Sequence, residues 1–228
     1  MRISVIIPTI NESACITQAV QSCWLAGADE VIVADGGSTD DTATLAKQLG
    51  CQVVISSPGR GVQQNQGAAR ASGDVLLFLH ADCMLGKDSL QQIRQQAAEN
   101  NPSFFGGFQQ DIPACGWIYR WFEWGNRSRI RRLGLIYGDQ GIFLTRELFE
   151  ENGGFPDIPL MEDVVLSRRL SLHGNALVLR GPLTVSPRRW EQNGPIRQTF
   201  RNWWFLTLFF LGKSPEELAR RYRRHDVP

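Results

Sequence analysis

Three carboxylates in the first half of the chain each stand at or just beyond the end of a short apolar run. Glu12 follows ISVII at residues 3–7, Asp35 follows EVIVA at 30–34, and Asp82 follows VLLFL at 75–79. A carboxylate accepts hydrogen bonds from a ribose diol or a base N–H, and it binds hard divalent cations. Read one at a time, each is as readily a turn or cap residue. Three on one rim of one sheet would instead form a nucleotide site. Whether they share a rim depends on the elements that carry them.

The β-branched run at 3–7 is a strand that Pro8 stops, and residues 9–13 form a polar turn into a helix. Ile16, Val20, Cys23 and Trp24 recur at helical spacing, and Gly27 closes that helix. A second strand at 30–34 leads through residues 36–41 to a helix ending at Leu49, with Ser38 and Asp41 as its capping pair. QVVIS at 52–56 is a third strand, followed by a Pro58-Gly59-Arg60-Gly61 loop and a helix over 63–71. The run at 75–79, apolar throughout, reads as a strand buried on both faces. Strands alternating with helices over eighty residues imply right-handed crossovers and a parallel sheet. In such sheets ligands sit beyond the carboxyl ends of the strands, where all three carboxylates fall.

The second half is less regular. A polar helix is expected over 87–100, a strand with a Gly-Gly break over 104–111, and an aromatic helix over 117–124. Arg127, Arg129, Arg131 and Arg132 follow as a basic stretch, and Gly138-Asp139-Gln140-Gly141 precedes a strand at 142–144. Glu162 and Asp163 open a helix over 164–172, and two strands are expected at 176–179 and 183–185. The last helices span 196–211 and 215–224, the second started by Ser214 as cap and Pro215 at its first position. With no linker or repeat, residues 1–228 read as one domain.

Composition narrows the function classes. Hydrophobic residues are 43% and charged residues 21%, ordinary globular usage. The formal charge of +1 offers no electrostatic case for a nucleic-acid partner. Cys15, Cys23, Cys51, Cys83 and Cys115 are odd in number and lack a C-x-x-C pair, which implies reduced thiols in a cytoplasmic protein. No run is long enough to span a bilayer, and the N-terminus does not read as a signal peptide. WWFLTLFFL at 203–211, followed by Arg220, Arg221, Arg223 and Arg224, has two readings. It is a helix buried in a core or homodimer interface, or one lying peripherally on the inner face of a membrane over 203–224.

The order and spacing of Pro8-Thr9-x-Asn11-Glu12, Asp35-Gly36-Gly37-Ser38-Thr39-Asp40 and His80-Ala81-Asp82 resemble family 2 glycosyltransferases of the GT-A fold. Gly106-Gly107, residues 138–141 and Glu162-Asp163 extend the resemblance to roughly residues 1–190. It implies an α/β three-layer sandwich with a mostly parallel central sheet and a Rossmann-like nucleotide-binding half. Residues 1–100 would bind the nucleotide-sugar, 101–195 would face the acceptor, and 196–228 would add C-terminal helices.

The resemblance also implies roles. Pro8, Thr9 and Glu12 would hold base and ribose, Asp35 would receive the base edge with uridine favoured, and the Arg60-to-Asn65 loop would lie near base and diphosphate. Asp82 would be the last acid of a D-x-D motif and bind Mn²⁺ or Mg²⁺, with Ala81 between it and His80. His80 replaces the first acid of that motif. Asp163 would take the proton from the acceptor hydroxyl, giving single displacement with inversion. Asp139, Gln140 and Glu162 are candidates for the acceptor side. Arg188 and Arg189 are diphosphate contacts or a solvated pair. The Q-x-x-R-W motif of processive synthases is reduced to Arg188-Arg189-Trp190, so one sugar would be added per event to an acceptor not identified here. Two rivals stand beside this reading. A sugar-phosphate nucleotidyltransferase would want a Gly-rich basic loop where Thr9 to Glu12 stand, and a non-catalytic nucleotide-sugar binder would tolerate His80.

Overall fold

Strand β1 (Ile3–Thr9) has every residue buried, as expected of a central strand covered on both faces. The computed structural model describes residues 1–99, 103–114, 117–186 and 194–222. Along the chain β1 is followed by α1 (Ile16–Leu25), β2 (Glu30–Asp35), α2 (Thr42–Gln48), β3 (Gln52–Ile55), α3 (Arg60–Arg70) and β4 (Val75–Phe78). Next come β5 (Cys83–Leu85), α4 (Ser89–Ala98), β6 (Phe105–Asp111), α5 (Trp117–Leu133), a 3-10 turn (Gly138–Gln140) and β7 (Ile142–Thr145). The chain continues through α6 (Arg146–Glu151), α7 (Glu162–Leu170), β8 (Leu177–Val185), α8 (Pro195–Phe210) and α9 (Pro215–Arg221).

The described strands form one sheet in the order β3-β2-β1-β4-β7-β6-β8-β5. The first four are mutually parallel. Strand β7 runs against both β4 and β6, β8 is parallel to β6, and β5 runs against β8. The sheet is therefore mixed and mostly parallel. Alternate residues of each strand feed opposite layers, as the two-residue side-chain period requires. Val5, Val33 and Leu77 pack with Ile16 and Val20 of α1 and Leu90 and Ile93 of α4. Ile6, Ile32, Leu76 and Phe78 pack on the other face with Ala68 of α3, Phe149 of α6 and Leu166 of α7. This is the three-layer α/β arrangement the sequence implied.

Several boundaries differ from expectation. Strand β1 runs through Pro8 to Thr9, paired with β2 to the end, because Pro8 is buried against Ala34 without interrupting the ladder. Ser38 does not cap α2; it turns back to Asp35, and Asp40 instead accepts from Thr42 N. Arg60 begins α3, so residues 60–65 are helix and not loop. The aromatic and basic stretches are one continuous helix, α5, as the high helix propensity of arginine allows. The two late strands are one, β8, whose register with β6 shifts opposite Phe108 and Gln110 to accommodate Gly181-Pro182. Strand β5 and helix α6 were not anticipated: three and six residues are too few for a period to show.

Helix α8 is half-covered. Phe205 packs with Leu160 and Leu218, whereas Ile196, Phe200, Trp203, Trp204 and Phe210 are exposed. Among the described residues no helix is long and apolar enough to cross a membrane.

Candidate functional site

At the carboxyl end of β2 the carboxylate of Asp35, 2% exposed, is filled by its own turn. Its Oδ2 accepts from Gly37 N at 3.2 Å and Ser38 N at 2.9 Å. Its Oδ1 accepts from Thr9 Oγ1 at 3.2 Å and from the Ser38 hydroxyl. A carboxylate has about four acceptor positions, so a base N–H reaches Asp35 only by replacing one of these donors. The neighbouring turn is tied to the same loop: Asn11, at φ 51°, accepts from Thr39 N at 2.9 Å and donates its own N–H to Ser38 Oγ. Glu12 donates its N–H to Thr42 Oγ1 at 2.8 Å while its carbonyl starts α1. Gln63, which the sequence reading passed over, is 4% exposed and donates Nε2 to Thr9 O at 2.7 Å and Ala34 O at 2.9 Å. It staples the ends of β1 and β2 from below. Only its position on the buried face of α3 could have marked it.

Beyond β4 the chain leaves the sheet. Ala81 is 4% exposed and packs into the core, so only its backbone faces outward. Asp82 is partly buried at the bend into β5, its carbonyl accepting from Ser186 N at 3.1 Å. The Nε2 end of the His80 ring approaches Gly138: a Cβ on residue 138 would stand 2.8 Å from His80 Cε1 and closer still to Nε2. Gly138 in turn donates its N–H to Asp163 Oδ2 at 2.7 Å. Asp163 sits in the first turn of α7, where its Oδ1 also accepts from Val164 N at 2.8 Å. A carboxylate at a helix N-terminus is stabilised by the unpaired N–H groups there. Two of its acceptor positions are used, and the residue lines a cleft of about 150 Å³.

That cleft gathers Arg60, His80, Asp139, Glu162 and Asp163. These five come from α3, the turn just after β4, the 3-10 turn and α7, with Arg60 and Asp163 separated by 103 residues in the chain. Glu162 is 4% exposed. Asp139 is the least comfortable: burial raises its pKa, the charges of Asp163 and Asp82 push the same way, and Arg129 opposes them. Its Oδ1 has no partner among the described residues. Arg129 lies 3.4 Å above the centre of the Tyr137 ring and donates to Asn126 Oδ1 at 2.9 Å and to Gln140 Oε1. Burial lowers the pKa of that guanidinium and pushes the Tyr137 phenol up to about 12.

Some expected site residues are engaged elsewhere. Gln140 is 1% exposed and its Oε1 serves Arg129 and Tyr137 N, which fixes the 3-10 turn instead of lining the cleft. Asn65 clamps Phe155, donating to its carbonyl at 2.8 Å and accepting from its N–H at 3.0 Å. Arg188 and Arg189 lie outside the described residues.

The oxygen donors bear on the metal. Among the described residues no three His, Cys, Asp or Glu side chains gather into a cation site. One carboxylate at a strand end, Asp82, suits Mg²⁺ or Mn²⁺ arriving with a diphosphate, since such ions keep waters and take phosphate oxygens for their other positions. Among the described residues, Asp82 fits a cation that arrives with the substrate.

A mostly parallel α/β sheet with acidic strand ends and a carboxylate over a cleft is the architecture of the GT-A glycosyltransferases. The sequence agrees: a model of glycosyl transferase family 2 matches residues 4–149, and the chain belongs to that family. A PGL/p-HBAD biosynthesis glycosyltransferase of Mycobacterium bovis is 32% identical over 166 residues, 67% of this chain and 62% of that protein. Among solved structures, S. aureus TarS 1–349 superposes with a TM-score of 0.63 at 21% identity, covering 82% of this chain and 61% of that one. Glucosyl-3-phosphoglycerate synthase from Mycobacterium tuberculosis, solved with Mn²⁺, UDP and glucosyl-3-phosphoglycerate, gives 0.55 at 24% identity over 81% and 70%. Both structural likenesses are of fold. The chain spans about three-fifths of the mycobacterial relative and of the TarS chain.

Proposed function

We propose that this chain is an inverting glycosyltransferase that moves one sugar from a UDP-sugar to an acceptor hydroxyl, with Mn²⁺ or Mg²⁺ carried on the diphosphate. The observation that carries this reading is the Asp163 carboxylate, held at 2.7 Å by Gly138 N and lining the cleft. In this reading Asp163 takes the proton of the acceptor hydroxyl as its oxygen bonds to the anomeric carbon. The bond from that carbon to the diphosphate breaks on the opposite ring face, so configuration inverts. Asp82 holds the cation, which when bound offsets charge growing on the leaving diphosphate. Arg60, at the start of α3 and in the same cleft, adds a cation toward the phosphates. Thr9 and the Asn11–Ser38–Thr39 network shape the floor for base and ribose. His80, pressed against Gly138, positions the N–H that orients Asp163. The M. tuberculosis synthase binds UDP and Mn²⁺ on the same fold, which supports the choice of nucleotide and ion.

The residue ranges 1–100 and 101–195 divide between donor and acceptor on this proposal, with helices α8 and α9 following them in the chain. The test is release of UDP from a panel of UDP-sugars with Mn²⁺, comparing the native chain with Asp163→Asn. The reading requires turnover that the variant lacks while both bind UDP. Saturable UDP binding with no sugar turned over would point to the non-catalytic binder instead.

A further inference from the structure

Beside the cleft lies a larger cavity of about 470 Å³ between α5 and α8. Volumes of roughly 300–1,000 Å³ are typical of small-molecule sites. Tyr137, Asp139 and Asn202 are walls of both spaces, so the cavity adjoins the cleft that Asp163 lines. Four further aromatic side chains line it, Trp121, Phe122 and Trp124 from α5 and Trp203 from α8, with Arg129 and Arg132 among the polar residues of the same wall. The three tryptophans are 49%, 53% and 47% exposed, and the Trp121 and Trp203 rings stand 6.0 Å apart across the two helices. Scattered single exposures need no explanation, whereas three indoles around one cavity mark a binding surface.

Two further observations concern the cavity's ends. Gly125 lies mid-helix in α5, where glycine costs about 1 kcal/mol relative to alanine, and a Cβ there would meet nothing within 4 Å among the described residues. The glycine leaves the wall open. At the inner end, Asp139 Oδ1 and the Tyr137 hydroxyl are both buried and lack partners among the described residues. Unpaired buried polar atoms are costly and call for a ligand group or a water. An acceptor and a donor on two residues that line the same cavity match a single hydroxyl, which can give a hydrogen bond to one and take one from the other.

We infer that this cavity is the acceptor pocket and that the acceptor is amphiphilic: an aromatic or alkyl body among the indoles, presenting one hydroxyl to Asp139 and Tyr137. The inference rests on the transferase reading for the word acceptor, but the pocket's chemistry can be tested without it. Tryptophan fluorescence would be titrated with para-butylphenol, butylbenzene and methyl α-glucoside, with UDP and Mn²⁺ binding followed separately. Para-butylphenol should saturate the signal, butylbenzene should bind more weakly, and methyl α-glucoside should give no response. Gly125→Leu should weaken para-butylphenol by roughly tenfold or more by filling the pocket, and leave UDP binding unchanged. Ser128→Leu, from the same wall, serves if Gly125→Leu does not fold. An equal response to methyl α-glucoside, or unaltered phenol binding in the filled variants, would overturn the inference. Phenol binding without UDP binding would sink the transferase reading and leave the pocket assignment standing.

Discussion

Asp163 and Gly138 are joined by a 2.7 Å hydrogen bond from the glycine's N–H to the aspartate's Oδ2, twenty-five residues apart in sequence. The bond ties the first turn of α7 to the 3-10 turn and fixes the direction of the carboxylate in the cleft. It lets Asp163 be replaced conservatively. Asp163→Asn keeps an oxygen for Gly138 but no basic group. UDP affinity should stay within about twofold while transfer falls by roughly 10²-fold or more. Calorimetry with UDP and an assay of UDP release read the two effects apart; loss of both together would place Asp163 in donor binding.

On the proposed reading Asp82 would hold the metal. With Asp82→Ala, UDP binding should lose its dependence on Mn²⁺, and adding EDTA to the native protein should have the same effect. Titrating Mn²⁺ against fixed UDP checks this. Unchanged metal-dependent binding would remove Asp82 from the site.

Gly138 is required by His80, not by backbone conformation, since its φ is not positive. Gly138→Ala drives a methyl into the imidazole and should cost about 1–3 kcal/mol in denaturant unfolding. His80→Ala placed in the same background should recover part of that loss, because the two sites share one contact. Additive losses would show that His80 is not the neighbour that excludes the side chain.

Asp139 should make stability pH-dependent. Burial, with Asp163 and Asp82 adding to it, raises its folded pKa. Unfolded chains lose that proton near pH 4, so as pH rises from about 4 the unfolded state gains first. Stability therefore falls from about pH 4 up to the raised folded pKa and stays lower above it. Asp139→Asn removes this loss, and its melting temperature should match the native protein near pH 4 and exceed it near pH 7. A higher acceptor KM with unaltered UDP binding should accompany that gain, as stabilising a functional site often costs activity.

Asp35 should act on the fold more than on the base. Asp35→Ala leaves Gly37 N and Ser38 N without their acceptor and should cost about 2–4 kcal/mol. Chemical denaturation measures it, and a negligible loss would return Asp35 to a direct role in base recognition.

The N-terminal half was legible because each element there announces itself locally. Apolar runs of β1, β2 and β4 differ sharply from their helices, and Gly27 and Gly50 stand just past the ends of α1 and α2. Parallel connection then follows from chirality, so the rim carrying Thr9, Asp35 and Asp82 could be placed without coordinates. The far half carries weaker local signals. Cys83–Leu85 is too short to show alternation, and Gly181-Pro182 resembles a break within what is one strand.

By itself, then, the sequence determined the three-layer parallel scaffold, the acidic strand ends and the family. Periodicity, β-branching and motif order are properties of neighbours along the chain, and they suffice for those features. Only the tertiary structure decided which polar atoms are available. It showed Asp35, Gln140 and Asn65 engaged by their own surroundings, placed Gln63 beneath two strand ends, and set His80 against Gly138. It also brought α5 beside α8 to enclose an aromatic cavity next to Asp139. Hydrogen-bond saturation and cavity walls arise from residues far apart in sequence, and no local pattern encodes how such partners meet.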